Sequence, residues 1–522
     1  MTSGVLQVLV FPRPNLFFLC WVAITPLIYA VLRAREADAS QLLAEHDTFS
    51  YLVPARIGQA FMLGWVAGFI SSLGICYWVY DITHRYGGLG SGVSILLTLL
   101  FALFIGLHEA LFAALLAWAA VARAGFSKRA LFLSPFLWVT VELIRTYVVA
   151  YPWNLLGNAQ VGNVPLARIA TVTGVYGVSF EIALVNTALA AAFLVRPKRR
   201  RNLLLASLTA AVALQSTQFV SLEPAPHNAS AVLVQQNLAQ DEQWTDELYD
   251  HTVRDLERIS VPASSETAPS LVVWPESPLS FYVTDTRFLG MMGRIAQRNH
   301  AWVIAGSVGI PLTPQGARPE KVYNSAALIS PAGVLSGRYD KIHLVPFGEY
   351  VPFKSLLGFA KKLTREVGDF EPGTDRLPMV AGDTRIGTYI CFESLFSGEV
   401  REFADHGAQV FVTISNDGWF GNSGAAEQHL NTTRMRSIEN GRWTLRSTNT
   451  GITASIDPEG RVVARLDRNM RGALDAPYML LNERTFYTTY GDWFPILCAI
   501  ISLTGLLWRH RGASRIVEPQ PV

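Results

Sequence analysis

The sequence predicts two folded parts: a multi-span α-helical membrane domain and an α/β layered sandwich. The first indication is length, because 522 residues exceed one ordinary domain. The second is composition: only 16% of residues are charged, against about 25% in an average protein. This deficit lies in roughly the first 220 and last 30 residues. The third is the middle of the chain, where strands alternate with helices and later pair as hairpins.

The membrane domain is predicted from apolar stretches long enough to cross a bilayer, which takes about 20 helical residues. Seven such stretches run over residues 15–32, 57–80, 91–121, 130–149, 166–195, 203–220 and 492–508. No small-residue cleavage pattern follows the first, so we interpret it as a span rather than a signal peptide. We expect a helical membrane domain over residues 1–222, with about six spans, and a C-terminal transmembrane helix over 491–508.

Basic residues predict the orientation of these spans. Their clusters fall on alternate loops, the densest being Arg196–Arg201, and the positive-inside rule places these loops in the cytoplasm. The soluble domain at 225–488 is then expected outside the cytoplasmic membrane, with residues 509–522 as a cytoplasmic tail. Counting backwards places residue 1 outside, unless a further span is missing upstream of residue 15.

Polar residues inside predicted spans are costly and need a partner. Glu142 and Arg145 are three residues apart, on one helix face, where they could pair with each other. The alternative is contact with lipid headgroups near the outer surface.

The middle of the chain has the pattern of a layered sandwich. Helices are predicted at 243–259, 286–299, 398–406 and 426–440, and strands at 231–237, 271–274, 302–307, 323–330, 334–339, 386–390, 410–415, 443–447, 452–456 and 462–466. Asp457–Gly460 predicts a hairpin turn.

Cys391 is the only cysteine in the soluble part, and it ends a predicted strand just before a helix. A nucleophile at such a turn is held by rigid backbone and faces a substrate. The chain lacks CxxC and Cys/His ligand spacings, so neither zinc nor a disulfide framework is expected. We expect no metal and no cofactor. A basic stripe or nucleic-acid motif is also missing, which argues against nucleic-acid binding.

Two other strand ends supply groups that a thiol needs for acyl transfer. A free thiol has a pKa of about 8.5 and is mostly protonated at neutral pH. Glu276, after Trp274-Pro275, is the better candidate base, although the same pattern fits a surface carboxylate in a turn. No histidine occupies a motif position near Cys391. Lys341 could stabilise an oxyanion together with the backbone N–H of Phe392, or it could be an ordinary solvated charge.

Two more glutamates accompany these groups. Glu349 could hold Lys341 in place or tune it. Glu393, two residues after the thiol, could order the turn, or could simply be an acid at a helix start.

Four segments of the soluble domain resemble the signature segments of the nitrilase superfamily: Trp274–Ser277, Lys341–Pro352, Ile390–Glu393 and Ser415–Gly421. The flanking spans, together with Trp138–Arg145, Pro152-Trp153 and Leu445–Ile452, are similar to those of the apolipoprotein N-acyltransferase family, the membrane-embedded branch. The resemblance covers nearly the whole chain. It implies a nitrilase-like αββα sandwich.

The resemblance implies roles for individual residues. Glu276 would be the general base, Lys341 the oxyanion stabiliser and Cys391 the nucleophile. Glu349 matches a supporting glutamate. Trp244 and Glu393 match positions that are functionally important in the family.

The chain departs from the family pattern in three places. Phe392 stands where a tyrosine is common, so a hydroxyl role is absent there. Gly418 stands where alanine is frequent. By comparison with the eight spans usual in the family, we also expect most of a first span to be lacking at the N-terminus, through either a misassigned start or a shorter member.

The implied reaction is a two-step acyl transfer. Cys391 would take a fatty acyl chain from a glycerophospholipid, typically phosphatidylethanolamine. The resulting thioester would then pass to the α-amine of a lipoprotein's N-terminal diacylglyceryl-cysteine. The partners would be a phospholipid donor and a lipoprotein acceptor in the bacterial inner membrane, with the catalytic domain on the periplasmic side. We expect a monomer.

Two loops, 345–370 and 416–425, are candidate lipid-facing lids. They bring Phe347, Trp419 and Phe420 as candidate substrate contacts, and ordinary loop packing is the alternative for each.

Two other functions fit parts of the sequence. A membrane-anchored amidase would use the same triad but pass the thioester to water. A transporter or lipid-binding scaffold would carry a catalytically inactive domain, against which the intact Glu276, Lys341 and Cys391 argue.

Overall fold

A computed structural model describes residues 1–34, 52–122, 125–195, 197–240, 245–261, 269–277, 281–311, 321–350 and 370–511. It divides into two compact units. The first, called unit 1, comprises Met1–Tyr77, Thr98–Val220 and Asp492–Val522. The second, called unit 2, comprises Trp78–Leu97 and Ser221–Gly491.

Unit 1 is built from helices, and the principal ones in or entering it are Thr2–Val10, Thr25–Leu32, Ile57–Ile75, Ser91–Ile105, Leu107–Ala120, Arg129–Tyr147, Val175–Leu194, Pro197–Ser216 and Trp493–Arg511. By length and composition, three helical stretches of the described chain are candidate membrane spans: Ile57–Ile75, Ser91–Ala120 and Val175–Leu194. These lie within the predicted spans 57–80, 91–121 and 166–195. The other four predicted spans are also helical over at least part of their length, but they fall short of the same criterion.

Two of these helices cross at glycines, which allow their backbones to approach closely. A Cβ on Gly68 would lie 2.4 Å from the carbonyl oxygen of Gly106, and one on Gly64 would lie 2.3 Å from that of Glu109. Small residues at helix crossings are typical of membrane bundles, where close packing replaces the hydrophobic effect as the driving force.

Glu142 and Arg145 do not pair with each other, which corrects the prediction of a helix-face ion pair. Glu142 Oε1 accepts hydrogen bonds from the Leu156 backbone N–H (2.8 Å) and from Trp138 Nε1 (3.1 Å). Arg145 donates to the backbone carbonyls of Tyr151 and Trp153. Both side chains therefore satisfy backbone groups of the loop that follows their helix, groups that would otherwise be buried without partners.

Unit 2 contains two six-stranded sheets. The strands are β1 (Ala229–Gln235), β2 (Leu271–Val273), β3 (Trp302–Gly309), β4 (Tyr323–Ile329), β5 (Leu335–Asp340), β6 (Met379–Ala381), β7 (Thr384–Ile390), β8 (Val410–Ser415), β9 (Thr444–Thr448), β10 (Thr453–Ile456), β11 (Val462–Leu466) and β12 (Gly472–Tyr478). One sheet has the order β12-β1-β2-β3-β4-β5, and the other β11-β10-β9-β8-β7-β6.

The two sheets pack face to face between helices, as the sequence predicts. Alternate residues of β1 show the layering: Ala231 and Leu233 belong to the core between the sheets, whereas Val232 and Val234 belong to the core beneath the outer helices. The helices Asp246–Ile259 and Thr286–Asn299 accompany the first sheet, and Ser397–Asp405 and Ala425–Asn440 the second.

The central strands of each sheet run parallel, and this places the chemistry. Strands β1, β2 and β3 are mutually parallel in one sheet, and β7, β8 and β9 in the other. The chain leaves β2 for Glu276, β7 for Cys391 and β8 for Asn416. All three residues therefore follow the carboxyl ends of parallel strands, where α/β folds commonly place their sites.

Residues 78–97 group with unit 2, although the sequence assigns them to the membrane domain. The rings of Trp78 and Phe420 meet edge to face with centroids 5.0 Å apart, and those of Tyr86 and Trp419 meet at 5.4 Å. The Tyr86 hydroxyl also donates to the carbonyl of Gly418 (3.0 Å). These aromatic contacts are the reason that this connection packs with the sandwich.

Candidate active site

Cys391 lies where β7 ends and a short 3-10 turn, Cys391–Leu395, begins. Its backbone φ is +52°, a left-handed conformation that is uncommon for a residue with a side chain. Its exposed fraction is 9%. Such strain persists only where the surroundings impose it, and it clusters at functional sites. The turn therefore holds the thiol in one position with a small accessible surface.

The environment of Cys391 keeps the resting thiol protonated. Burial raises its pKa above the ordinary value, and the Glu276 carboxylate raises it further. The Lys341 ammonium lowers this pKa without outweighing the other two effects. Because the thiolate is the reactive form, the proton must be removed during the reaction. Lys341 Nζ and Glu276 Oε1, whose charges act on this thiol, lie 3.4 Å apart.

Lys341 is the centre of a buried ionic cluster. Its Nζ lies 2.9 Å from Glu349 Oε1 and 3.4 Å from Glu276 Oε1, and only 1% of the lysine is exposed. Asn324 Nδ2 donates to the same two oxygens, at 2.6 and 2.7 Å. Burial alone would lower the pKa of Lys341, but the carboxylates of Glu276 and Glu349 outweigh it and raise this pKa. The lysine is therefore a fixed positive charge.

The second oxygen of each carboxylate is held by backbone. Glu276 Oε2 accepts from the N–H of Asn416 (2.9 Å), and Glu349 Oε2 accepts from the N–H of Val345 (2.8 Å). Glu276 thus joins a loop of one sheet to a loop of the other. A carboxylate with both oxygens fixed is pre-organised to receive a proton in a defined direction.

Glu393 connects the cysteine turn to the lysine segment. Its Oε2 accepts from the N–H of Ile390 (2.7 Å), and its Oε1 accepts from the Tyr339 hydroxyl (2.7 Å) and the N–H of Ile342 (2.8 Å). Burial raises the pKa of Glu393, and these hydrogen bonds lower it in part. Of the two interpretations of this residue, the geometry supports the ordering of the turn.

Family comparisons agree with both parts of the chain. The N-terminal domain of apolipoprotein N-acyltransferase matches residues 3–188, and the carbon-nitrogen hydrolase family matches residues 229–479. A relative from Geobacter metallireducens, named apolipoprotein N-acyltransferase, is 35% identical over 508 residues, which cover 95% of this chain and 92% of the relative. The chain belongs to the apolipoprotein N-acyltransferase family.

A second relative with the family name, from Methylococcus capsulatus, is 34% identical over 480 residues and covers 89% of this chain and 91% of its own length. The carbon-nitrogen hydrolase match also confirms the nitrilase-like assignment of the sandwich. With three candidate spans in the described chain, these matches make the chain a bacterial membrane protein.

The chain also has similarity to solved structures. A carbon-nitrogen hydrolase from Helicobacter pylori G27 aligns with a TM-score of 0.35 and 16% identity, over 55% of this chain and 95% of that one. An amidase from Nesterenkonia sp. aligns with a TM-score of 0.37 and 16% identity, over 52% and 95%.

The predicted substrate-contact residues have different surroundings. Phe347 is 47% exposed, with a φ of +63°. Phe420 is buried, packed on Trp78, and Trp419 packs on Tyr86. Phe392 stands where the resemblance leads us to expect a tyrosine, and the centroid of its ring lies 5.5 Å from that of Phe396. Trp244 lies outside the described residues, as do residues 351–369 of the predicted lid.

Sequence reasoning missed several polar residues of the site. Asn324 shares its amide between Glu276 and Glu349, and its only sequence signal is an asparagine near the start of a strand that ends in an apolar run. His429 was also missed: its Nε2 lies 3.0 Å from the backbone oxygen of Cys391. No histidine occupies a motif position near Cys391 in the sequence, but the fold brings His429 to the backbone of that residue. The sequence gives no local signal for this contact, because His429 is 38 residues from Cys391 along the chain.

Gly306 on β3 determines how close that strand can come to Glu276. A Cβ at this position would lie 2.4 Å from the carbonyl oxygen of Pro275 and 2.9 Å from the Cα of Glu276. We expect Gly306→Ala to displace the base and lower acyl transfer about 10²-fold, the usual effect of a shift near 1 Å. Overpacking should also lower the free energy of unfolding by about 1–3 kcal/mol. Steady-state kinetics and chemical denaturation measure the two effects.

Gly290→Ala is the matched control, because the nearest heavy atom to its Cβ is the far end of Arg294, at 3.6 Å. It lies within the helix Thr286–Asn299, where alanine is favoured over glycine. A Gly306→Ala enzyme as active as the Gly290→Ala enzyme would contradict the close approach described here.

Proposed function

We propose that this chain transfers a fatty acyl group from a membrane phospholipid to the N-terminal α-amine of a diacylglyceryl-cysteine lipoprotein. The observation that supports this most directly is the buried cluster of Lys341, Glu276 and Glu349 acting on the Cys391 thiol. A nucleophile, a base and a fixed cation suit acyl transfer through a thioester. Membership of the family supports the choice of substrates.

In the first half-reaction, Glu276 takes the proton of the Cys391 thiol, and the thiolate attacks the ester carbonyl of the phospholipid. The C–S bond forms as the carbonyl oxygen becomes an oxyanion, which the Lys341 ammonium and the N–H of Phe392 stabilise. Collapse breaks the ester C–O bond. The departing alkoxide takes the proton back from Glu276 and leaves as a lysophospholipid.

In the second half-reaction, Glu276 takes a proton from the acceptor amine. The neutral amine attacks the thioester, and an oxyanion forms again at the same donors. The C–S bond then breaks and an amide remains. Cys391 leaves as a thiolate, and it is reprotonated from Glu276, so the enzyme returns to its starting state with its carboxylate ionised.

Glu349 and Glu393 are positioning residues in this proposal. Glu349 accepts from the ammonium of Lys341 with one carboxylate oxygen and from the backbone N–H of Val345 with the other. Glu393 keeps the cysteine turn and the Ile342 segment together. The candidate lipid contacts remain Phe347, Trp419, Phe420 and Trp244. Among the first three, which the structure describes, Phe347 is the most exposed.

A product assay tests this function. The purified enzyme is incubated with phosphatidylethanolamine and a diacylglyceryl-cysteine peptide, and mass spectrometry follows the peptide. We expect one added acyl chain in amide linkage, and none with Cys391→Ala. Ammonia release from simple amides, without acylation of the peptide, would instead favour the membrane-anchored amidase. Equal peptide acylation by Cys391→Ala would exclude the thiol from the reaction.

We further propose that the protein lies in the bacterial inner membrane, acts as a monomer and holds unit 2 on the periplasmic side. The basic residues on alternate loops support this orientation. Labelling of a Glu247→Cys variant with a membrane-impermeant maleimide in spheroplasts tests it, because Glu247 is exposed on unit 2. We expect labelling without lysis. Labelling that needs lysis would place unit 2 in the cytoplasm.

A further inference from the structure

The helix Ala425–Asn440 presents a buried histidine to the backbone of the cysteine turn. His429 is 1% exposed, and its Nε2 lies 3.0 Å from the carbonyl oxygen of Cys391 and 2.7 Å from Ser394 Oγ. The proposed reaction gives this ring no role, since it contacts the backbone of the nucleophile rather than its sulfur.

The other side of the ring is fixed by a buried ion pair. His429 Nδ1 lies 3.0 Å from Asp417 Oδ1, and Arg446 donates to Asp417 Oδ2 at 2.6 Å. Arg446 also lies 3.2 Å from Nδ1, and Ser415 donates to Asp417 Oδ1 at 2.7 Å. Burial alone would raise the pKa of Asp417, but Arg446 and His429 hold it well below its ordinary range. The imidazole is therefore anchored by a carboxylate that stays ionised.

A backbone carbonyl can only accept a hydrogen bond, so Nε2 holds Cys391 O only when it carries a proton. Nδ1 must carry a second proton if it is also to donate to Asp417. With a proton on Nδ1 alone, Nε2 would accept from the Ser394 hydroxyl instead. The contacts Asp417–His429–Ser394 have the connectivity of a hydrolytic triad. However, Ser394 has no exposed surface and cannot meet a substrate. The ring therefore acts on the peptide bond that follows Cys391.

That peptide bond also contains the N–H of Phe392, one of the two oxyanion donors in the proposed reaction. A peptide unit is planar, and in the trans form its C=O and N–H point in opposite directions. A donor that fixes the carbonyl of Cys391 consequently fixes the direction of the Phe392 N–H. A hydrogen bond to the carbonyl also polarises the amide and strengthens its N–H as a donor.

We propose that His429 is a positioning residue that sets the direction and strength of the Phe392 N–H, anchored by Asp417 and Arg446. This inference rests on the proposed function, because it concerns the oxyanion formed there. It predicts that His429 affects steps that build an oxyanion and spares other reactions of the thiol.

Two reactions of Cys391 distinguish an effect on oxyanion formation from an effect on the thiol itself. Acylation by phospholipid passes through an oxyanion. Alkylation by iodoacetamide is a displacement at carbon that uses the same thiol and base but forms no oxyanion. Peptide mapping by mass spectrometry after each reaction gives the rate at Cys391 itself. Both rates are first measured for the wild-type enzyme. A wild-type enzyme that is alkylated but not acylated at Cys391 would show that the proposed function has failed, before any variant is compared.

We expect His429→Met to lower the maximal acylation rate 10²- to 10³-fold, the usual effect of losing one oxyanion donor. The concentration of phospholipid at half-maximal rate and the alkylation rate should stay within about threefold. His429→Gln, whose amide can donate to the same carbonyl, should keep at least a tenth of the acylation rate. Thr432→Val is the matched control, because it removes a buried hydroxyl whose hydrogen bond, in the part of the chain that the structure describes, goes to Gln428 O of the same helix.

Parallel losses of acylation and alkylation would overturn the proposal, since they would mean that His429 only supports the thiol. Acylation by His429→Met at the rate of Thr432→Val would also overturn it. If the methionine variant does not fold, His429→Gln decides alone. A folded glutamine variant with less than a hundredth of the wild-type acylation rate would show that the donor is not what matters.

Discussion

Replacing Lys341 with methionine is expected to lower the maximal rate of Cys391 acylation at least 10³-fold. The ammonium is the only cation within hydrogen-bonding distance of Glu276 and Glu349 among the described ion pairs, and it is the proposed partner of the oxyanion. Loss of one such donor costs about 10²–10³ in rate. Loss of the charge also leaves two buried carboxylates that share one amide.

The same substitution should lower the free energy of unfolding by about 3–5 kcal/mol, because it leaves buried charge uncompensated. Chemical denaturation measures this loss, and single-turnover acylation measures the rate. Lys321→Met is the matched control, since Lys321 is an exposed lysine of the same unit. Acylation by Lys341→Met within tenfold of that control would show that the cluster has a structural role only.

Replacing Glu276 with glutamine should lower acylation by about 10²–10⁴, the usual contribution of a positioned general base. Glutamine has nearly the same shape and keeps one oxygen for the N–H of Asn416 or the amide of Asn324. It cannot accept the thiol proton at neutral pH. Single-turnover acylation at saturating phospholipid measures the effect without a contribution from acceptor binding.

Glu349→Gln provides the comparison for this prediction. It removes the same charge from the same lysine, at a position that holds Lys341 but takes no proton in the proposed reaction. We expect its loss in acylation to be at least tenfold smaller than that of Glu276→Gln. Equal losses in the two variants would contradict the assignment of Glu276 as the base.

The sequence predicts the reactive groups well because each follows a recognisable strand. Glu276, Lys341 and Cys391 stand at strand ends with strong local patterns, and the structure places them together. The predicted helix 286–299 coincides with Thr286–Asn299, and most predicted strands agree with the observed ones to within about two residues.

Two strands of unit 2 escaped prediction for physical reasons. Strand β12 includes Asp475 and Pro477, which are poor strand residues, and it is stabilised by antiparallel pairing with β1, more than 200 residues earlier in the chain. Strand β6 is only three residues long. Pairing of this kind is a tertiary effect, and a local pattern contains no signal for it.

The buried polar network under the cysteine turn escaped prediction for the same reason. Asp417, His429 and Arg446 come from a loop, a helix and a strand, and only the folded sandwich brings them together. Glu142 and Arg145 show the converse case. Their spacing predicts a pair, but each meets a backbone group of the following loop.

The central claim is that Cys391 becomes acylated by a phospholipid, and intact mass spectrometry tests it most directly. The purified protein is incubated with phospholipid and no acceptor, with Cys391→Ala as the control. We predict a mass increase of one fatty acyl group on Cys391, removed by hydroxylamine and discharged by a diacylglyceryl peptide. A folded, unmodified protein that releases ammonia from simple amides would contradict the account.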